Sequence, residues 1–511
     1  MTEKKIISLL DLSKKTKELK KQNKKIVHCH GVFDILHIGH IKHFNTAKKR
    51  GDILILTVTP DSFVNKGPNR PIFTLDLRMQ CLAGLKSVDY VAANNSADAV
   101  SVIKLLKPDV YCKGKDYIDK KVDVTGKIKD EEAAVKRIGG KIFYTQDDLF
   151  SSSNIINNIG YNLTAIQKKY LDNVRLNKNL IKNKSITKII NSFEKLKVLV
   201  IGETIIDEYT YCEALGKSGK EPVLVLRELF TEKYLGGAAS IAKNLSGFCK
   251  KISLLSFLGE KREHENFILK NLQKNIYSKF ISKKNSCTIV KKRFVDNISK
   301  TKVLGLHSLN DQPLDFKQKA QFNKLLVKYI KNHDVVIVSD YGHGLISKES
   351  VNLILKKSKF LAVNAQLNSA NIGYHTISKY KGADLIIINE NEMRHELRNK
   401  IDDVNILIKE LAIKLKSKFI AVTSGERGAK IYNSSLKKIT ECPAFANKVA
   451  DKIGTGDTML ALLTICIFKK ININFSMLLA SLAAAENIQH MANSITVTKS
   501  KMLKTLESYL K

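Results

Sequence analysis

Tryptophan is absent from the 511 residues. No basic block is interleaved with aromatics either, so the stacking platforms that hold single-stranded nucleic acid are not suggested. The eight cysteines (29, 81, 112, 212, 249, 287, 442 and 466) include no Cys-x-x-Cys pair, which argues against a zinc ribbon and against a disulfide framework. They read as buried or incidental thiols of a reducing cytosol. Long apolar runs are also missing. The longest, Met459 to Phe468, is too short to span a bilayer and is followed by Lys469 and Lys470. The first 25 residues are lysine-rich and hold only short apolar pairs, so a signal-peptide core is lacking. A cytoplasmic protein without a membrane partner is expected. Acidic residues are in deficit, 49 against 86 Lys and Arg, for a formal charge of +37. The excess is almost all lysine and is spread along the chain. It fits a solvated basic surface that draws in phosphorylated substrates better than a nucleic-acid binder. A basic nucleic-acid-binding protein on borrowed folds is the competing reading from outside enzymology, and it predicts steeply salt-dependent DNA binding.

What is present is enough for real cores: 44% of the residues are hydrophobic, and this length predicts two or three domains of ~150 to 300 residues. Short β-branched runs alternate with helical patterns at Ile26 to Cys29, Ile53 to Val58, Val110 to Cys112 and Lys141 to Tyr144. A second series runs through Lys197 to Gly202, Val335 to Ser339, Leu385 to Asn389 and Phe419 to Thr423. The alternation predicts two α/β units built on parallel sheets. Between them lies a polar stretch with Ile and Leu at helical spacing, which predicts one or two connecting helices. The expected division is an N-terminal extension (1–23), a first domain (24–160), a helical linker (161–194) and a second domain (195–511). Residues 209–235 and 283–305 alternate like strands and predict a small β-lid on the second unit. No internal repeat is found.

The first strand runs into Cys29-His30-Gly31-Val32-Phe33-Asp34, followed at once by Leu36-His37-Ile38-Gly39-His40. Two histidines three apart, one closing a loop and one in the first turn of a helix, can point at one phosphate, with Gly31 and Gly39 letting backbone N–H groups approach it. In-line attack on an α-phosphate needs positioned donors for its oxygens and for departing pyrophosphate, and no covalent nucleophile. A satisfied core histidine is the plainer alternative; zinc is another, with no third ligand evident nearby. Ser151-Ser152-Ser153 at the start of a helix would offer hydroxyls and free N–H groups to a triphosphate, or simply cap that helix.

These residues resemble the HxGH nucleotidyltransferases of the cytidylyltransferase-like branch over about 24–160, and within it the adenylyltransferase domain of the bifunctional heptose kinase/adenylyltransferase family. The shared features are Gly31-x-Phe33-Asp34-Ile35-Leu36-His37-x-Gly39-His40, Asp61, Arg70-Pro71, Arg78-Met79, Lys113-Gly114-x-Asp116-Tyr117, Gly139-Gly140-Lys141 and Ser151-Ser152-Ser153-Asn154-Ile155-Ile156. The resemblance implies a Rossmann-like domain in which His37 and His40 are catalytic. Gly31, Phe33, Asp34, Gly39, Lys113, Ser151, Ser152 and Ser153 would hold the nucleotide. Lys42 is a looser phosphate candidate, and Asp116-Tyr117 would contact nucleotide or sugar.

No Walker A loop exists: Gly216-Lys217-Ser218 mimics its end, but Tyr211 stands where the first glycine belongs. The stronger candidate is Asp451-Lys452-Ile453-Gly454-Thr455-Gly456-Asp457-Thr458, directly before an apolar helix. Glycines 454 and 456 would expose consecutive N–H groups as an anion hole, with Asp457 beside it as the base for a sugar hydroxyl. An ordinary tight turn is the plainer reading.

Residues 195–511 resemble the ribokinase-like (PfkB) sugar kinases along their whole length. Gly236-Gly237 with Asn244 matches the family's sugar-binding turn and helix, and Asn389-x-x-Glu392 an element whose carboxylate would organise magnesium water. Thr423-x-Gly425-x-x-Gly428 matches the loop that covers the nucleotide. Gly454, Thr455 and Gly456 would receive the transferred phosphoryl group. Asp207 and Asp340 would hold the sugar, although turn or cap roles are open for both and for Asn244. Two departures stand out: Ser240 replaces an Asn, and Asn364-Ala365-Gln366-Leu367-Asn368 stands where an Asp and a Lys are expected. The domains are also reversed relative to the heptose enzymes.

Together the resemblances imply a bifunctional enzyme that phosphorylates a sugar phosphate, heptose 7-phosphate being the first candidate, and transfers a nucleotidyl group, adenylyl before others, to a sugar 1-phosphate. Its partners would be ATP, Mg²⁺ and sugar phosphates, and a homodimer is a family expectation. The alternative is a CTP-dependent transferase acting on a polyol or sugar phosphate, with a non-catalytic kinase-like half.

Overall fold

The computed structural model describes residues 5–64, 70–114, 127–145, 163–176, 183–368, 371–446 and 448–510. The chain divides into two compact units, one centred on Met1–Asn162 and one on Leu163–Leu503.

In the first unit the strands are β1 (Ile26–Gly31), β2 (Ile53–Val58), β3 (Tyr90–Ala93), β4 (Val110–Gly114) and β5 (Lys141–Thr145), in the order β3-β2-β1-β4-β5. All neighbours are parallel, as alternation with helices demands. Strand side chains alternate between two cores. Val27 and Cys29 join Phe44 and Ala47 of the helix Ile38–Lys48 and Leu82 and Ala83 of the helix Leu75–Ala83. Ile26 and Tyr111 pack on the opposite side with Val102, Ile103, Ala134 and Val135. The residues expected as an extension form the helix Leu9–Lys21, whose Leu12 and Leu19 are buried in that second core, while Ile6 bridges to Val91. The order reverses between β1 and β4, so their C-terminal ends open the crevice where open α/β sheets bind ligands.

In the second unit β6 (Lys197–Gly202) leads directly into the long hairpin β7 (Thr204–Lys217) and β8 (Leu224–Gly236). There follow β9 (Lys251–Gly259), β10 (Ile276–Lys283), β11 (Ile289–Asp296), β12 (Lys302–Ser308), β13 (Val335–Asp340), β14 (Leu361–Ala365), β15 (Leu385–Asn389), β16 (Phe419–Thr423), β17 (Ala429–Asn433) and β18 (Lys438–Cys442). The main sheet has the order β10-β9-β6-β13-β14-β15-β16-β17-β18, parallel through β16 and antiparallel at its last two strands. β12-β11-β7-β8 form a separate four-stranded sheet, the expected lid. The expected linker helices are Ala165–Arg175 and Asn183–Ser192. The first packs inside this unit: the Gln167 amide donates to the Ala444 carbonyl at 2.6 Å and the Tyr170 hydroxyl to that of Asn474 at 2.7 Å. No helix among the described residues is long and apolar enough to cross a membrane.

Candidate active sites

At the end of β1 the chain turns on Gly31, where a Cβ would lie 2.9 Å from the Phe33 ring. Phe33 itself takes a left-handed φ of 48°, so glycine is needed here to seat that ring. The Phe33 ring meets His40 edge-on at 5.6 Å, and the His37 and His40 rings stack at 4.0 Å. His37 is the N-cap of the helix Ile38–Lys48, its Nδ1 accepting the Gly39 N–H at 3.1 Å. Both imidazoles therefore stand at the positive end of a helix, at the crevice mouth.

The loops around them are tied by a buried ion pair and by a buried arginine. Asp34 accepts the N–H groups of Ile72 and Phe73 and pairs with Arg70 at 3.1 Å, with both side chains almost wholly buried. Its carboxylate is thus engaged with protein groups and shapes the loop. Arg78, fully buried, donates to the carbonyls of Phe73, Val32 and Thr59 and to Asp61. Lys113, expected at the nucleotide, has its ammonium 2.9 Å from Glu131, whose carboxylate also accepts from Tyr111 and the Ala99 N–H. A lysine held by a buried carboxylate braces the end of β4 and has less reach for a phosphate. Ser151, Ser152 and Ser153, with Asp116 and Tyr117, lie outside the described residues. No cluster of three or more metal-ligating side chains is found among the described residues.

In the second unit Gly454, at φ 81°, is the N-cap of the helix Thr455–Phe468. Any side chain there would overlap Asn493, whereas the space beside Gly456 is open. Among the described residues no acceptor is found for the N–H groups of Thr455, Gly456 and Asp457, which leaves the first helical turn facing that space as an anion site. Asp457 accepts from the Tyr341 hydroxyl at 3.1 Å. Burial pushes its carboxyl up to about 7, with the Asp207 charge adding to the rise and Tyr341 and Lys291 opposing it.

The turn Gly236-Gly237 is built around Asp207, since a Cβ at Gly236 would overlap its carboxylate. Asp207 pairs with Arg293 of β11 at 2.7 Å. Asn244, expected at the sugar, is 2% exposed and donates to Thr458 Oγ1 at 3.0 Å, which in turn donates to the Gly454 carbonyl. Asn487 donates to the same hydroxyl. Asn244 therefore braces the anion-site turn from behind. Asp340 is likewise engaged, by the Gly342 N–H, the Tyr380 hydroxyl and Lys379. Burial alone would raise its carboxyl, but Lys379 and His375 hold it below its ordinary value. Beside it Glu203 accepts the N–H groups of Tyr341 and His343, and burial with the Asp340 charge lifts it to about 7.

Of the residues expected at the nucleotide, Asn389 and Thr423 are register partners at the ends of β15 and β16. Asn389 caps its helix, and Glu392 returns a bond to the Asn389 N–H at 2.9 Å and accepts that of Leu367 at 3.2 Å. Burial lifts its carboxyl to about 7. Gly425 has open space beside it, while a side chain at Gly428 would overlap the Cys442 carbonyl. Asn364, where a charge was expected, donates to the Ile387 carbonyl and so ties β14 to β15.

Tyr341, Lys291 and Arg293 were given no role by the sequence, and Asp451 appeared there only as the first residue of the run before the helix. Lys291 and Arg293 share one face of β11 by their i, i+2 spacing, a signal that was available. Asp451 accepts from Tyr209 of β7 at 2.5 Å and from Lys302 of β12 at 2.6 Å, a pairing that only tertiary structure brings about.

The profile of the pfkB family carbohydrate kinases matches residues 195–499, more than half of the chain. The chain belongs to that family. The cytidylyltransferase-like profile matches residues 28–158, so the transferase-like half precedes the kinase half. The bifunctional protein HldE of Campylobacter jejuni strain RM1221 is 29% identical over 297 residues, which cover 58% of this chain and 61% of the relative. HldE of Helicobacter pylori strain G27 is 29% identical over 307 residues, covering 58% and 64%. The chain thus spans about three fifths of the length of the curated relatives it matches. Phosphofructokinase-2 from Escherichia coli, crystallised with potassium, is 13% identical and superposes over 62% of this chain and 100% of its own with a TM-score of 0.51. That likeness is one of fold.

Proposed function

We propose that the chain is a bifunctional enzyme of nucleotide-sugar formation, with a kinase in 195–511 and a nucleotidyltransferase in 24–160. The observation that carries the reading is Asp457, a carboxyl raised to about 7 beside open helix N–H groups. A base near neutrality can take a hydroxyl proton yet stay ionised enough to act. In the kinase half Asp457 removes the proton from a sugar hydroxyl as its oxygen bonds to the γ-phosphorus of ATP. The bond to the β-phosphate oxygen breaks, and the turn at Thr455 and Gly456 receives the charge on the transferred group. Asp207 orients the sugar from the lid, and Asn389, Thr423, Gly425 and Gly428 border the nucleotide.

In the transferase half a sugar 1-phosphate oxygen attacks the α-phosphorus of a nucleoside triphosphate and pyrophosphate leaves. His37 and His40 donate hydrogen bonds to the phosphate oxygens in flight. Mg²⁺ would accompany the nucleotide phosphates in both halves; Glu392, with a backbone N–H on each oxygen, would act on it through water. We take heptose 7-phosphate as the acceptor of the kinase half, and ATP as the donor in both halves, from the resemblance to the heptose enzymes and the names of the HldE relatives. The setting is cytoplasmic, and the product feeds surface polysaccharide.

The test is to incubate the protein with each NTP and a panel of sugar phosphates, measuring ADP and pyrophosphate separately. ADP release that requires heptose 7-phosphate, and pyrophosphate release that requires a sugar 1-phosphate, would support the reading. Pyrophosphate release from CTP and a polyol phosphate, with no acceptor-dependent ADP, would replace it.

A further inference from the structure

The kinase half holds a buried lysine side chain that no acid pairs with directly among the described residues. Three consecutive cations lie on β11. Lys292 pairs with Glu208 at 2.6 Å on one face, and Arg293 pairs with Asp207 at 2.7 Å on the other. Lys291 shares the Arg293 face, stands in register with Asp207 on the neighbouring strand, and is 8% exposed. Among the described residues no hydrogen bond or ion pair is found for its ammonium, and the Tyr341 ring lies 5.2 Å from Nζ to the centroid. The same Tyr341 donates to Asp457. Lys283, a buried lysine with a structural task, looks different: its ammonium is bound by the carbonyls of Asn310 and His343. An ammonium without a partner at the end of so buried a side chain is costly, and this one lies over the ring whose hydroxyl meets Asp457.

We propose that the Lys291 ammonium binds a phosphate monoester carried by the sugar acceptor, and so selects a phosphorylated sugar over its neutral counterpart. The inference rests on the acceptor reading above and supplies the residue that reads the acceptor. Asp457 puts a carboxylate at the acceptor hydroxyl, and Asp207, though paired with Arg293, puts a second beside the sugar, so an anionic acceptor gains from a further cation there. Lys291 supplies that cation from the lid strand next to Asp207. The nucleotide candidates Asn389 and Thr423 lie on β15 and β16, whereas Lys291 stands on the lid strand in register with Asp207, the residue assigned to the sugar.

The test compares the full chain with Lys291→Met and Lys291→Arg at a pH well above 7, where Asp457 is ionised in all three. ADP release is measured with heptose 7-phosphate and with the unphosphorylated heptose. For Lys291→Met the KM for heptose 7-phosphate should rise roughly 10- to 100-fold, the loss expected for one charge-assisted contact. kcat and the KM for ATP should stay within about 3-fold, and Lys291→Arg should recover most of the loss. Calorimetric titration with heptose 7-phosphate alone should show the same weakening. An unchanged KM in Lys291→Met overturns the role of Lys291 and leaves the acceptor reading standing. A fall in kcat, or a higher KM for ATP alone, overturns it in favour of contact with the nucleotide's phosphate. Wild-type protein that phosphorylates neutral sugars and binds no heptose 7-phosphate overturns the acceptor reading itself, before any variant is made.

Discussion

Replacing Tyr341 by Phe removes one hydrogen bond and leaves the ring that covers the base. In the native protein that hydroxyl donates to Asp457 at 3.1 Å and works against burial, which has already raised the carboxyl to about 7. A hydrogen bond to a charged group is worth about 1.5 to 3 kcal/mol, and 1.36 kcal/mol corresponds to about one pKa unit. The variant's Asp457 should therefore titrate roughly 1 to 2 units higher. A base works only when ionised, so kcat/KM for phosphorylation should climb with pH through about 7 in the native enzyme and through about 8 to 9 in Tyr341→Phe. At pH 7 the variant should be slower by roughly 5- to 50-fold, with the gap closing toward about pH 10. The assay is acceptor-dependent ADP release across pH, with pyrophosphate release by the other half as the internal control. A uniform loss at every pH, with the rising limb unmoved, would refute the assignment of Asp457 as a base tuned by Tyr341.

Other substitutions separate bracing from chemistry. Asn244→Ala removes one of two amides that hold the Thr458 hydroxyl behind the anion site; kcat should drop about 10-fold or more while the KM for the sugar moves little, a split that steady-state kinetics reads. Gly454→Ala forces a side chain into Asn493 at φ 81°, and should abolish phosphorylation while pyrophosphate release persists. Arg78→Ala strips three carbonyls and Asp61 of their shared donor. It should cost the transferase half on the order of 4 kcal/mol in denaturant unfolding, and an unchanged midpoint would show that those loops hold without it.

Strand positions were legible because β-branched runs between helical patterns admit little else, and β1, β2, β4 and β5 appear where such runs lie. The lid, too, could be read from alternation in residues 209–235 and 283–305. The sites were legible as backbone motifs. Gly454 and the pair His37 and His40 sit where a strand or loop meets a helix N-terminus, a junction that glycines and short spacings announce. What sequence could not supply was which way polar side chains turn. Asn244, Asp340 and Lys113 were placed on ligands, yet each is engaged by a protein group brought from far along the chain: Thr458, Lys379 with Tyr380, and Glu131. Buried polar groups must be satisfied by whatever tertiary packing brings near, and single-sequence patterns hold no record of that. Gly31 shows the converse: its place was evident, but its reason is the Phe33 ring folded over it.

Two independent phosphate-transfer sites in one chain are the central claim, and Asp457→Asn and His40→Ala, assayed side by side, test it most directly. With ATP, heptose 7-phosphate and a sugar 1-phosphate supplied, Asp457→Asn should lose acceptor-dependent ADP release by about 100-fold or more and keep pyrophosphate release. His40→Ala should do the reverse. Loss of both activities in either variant, or phosphorylation that survives Asp457→Asn, would contradict the account.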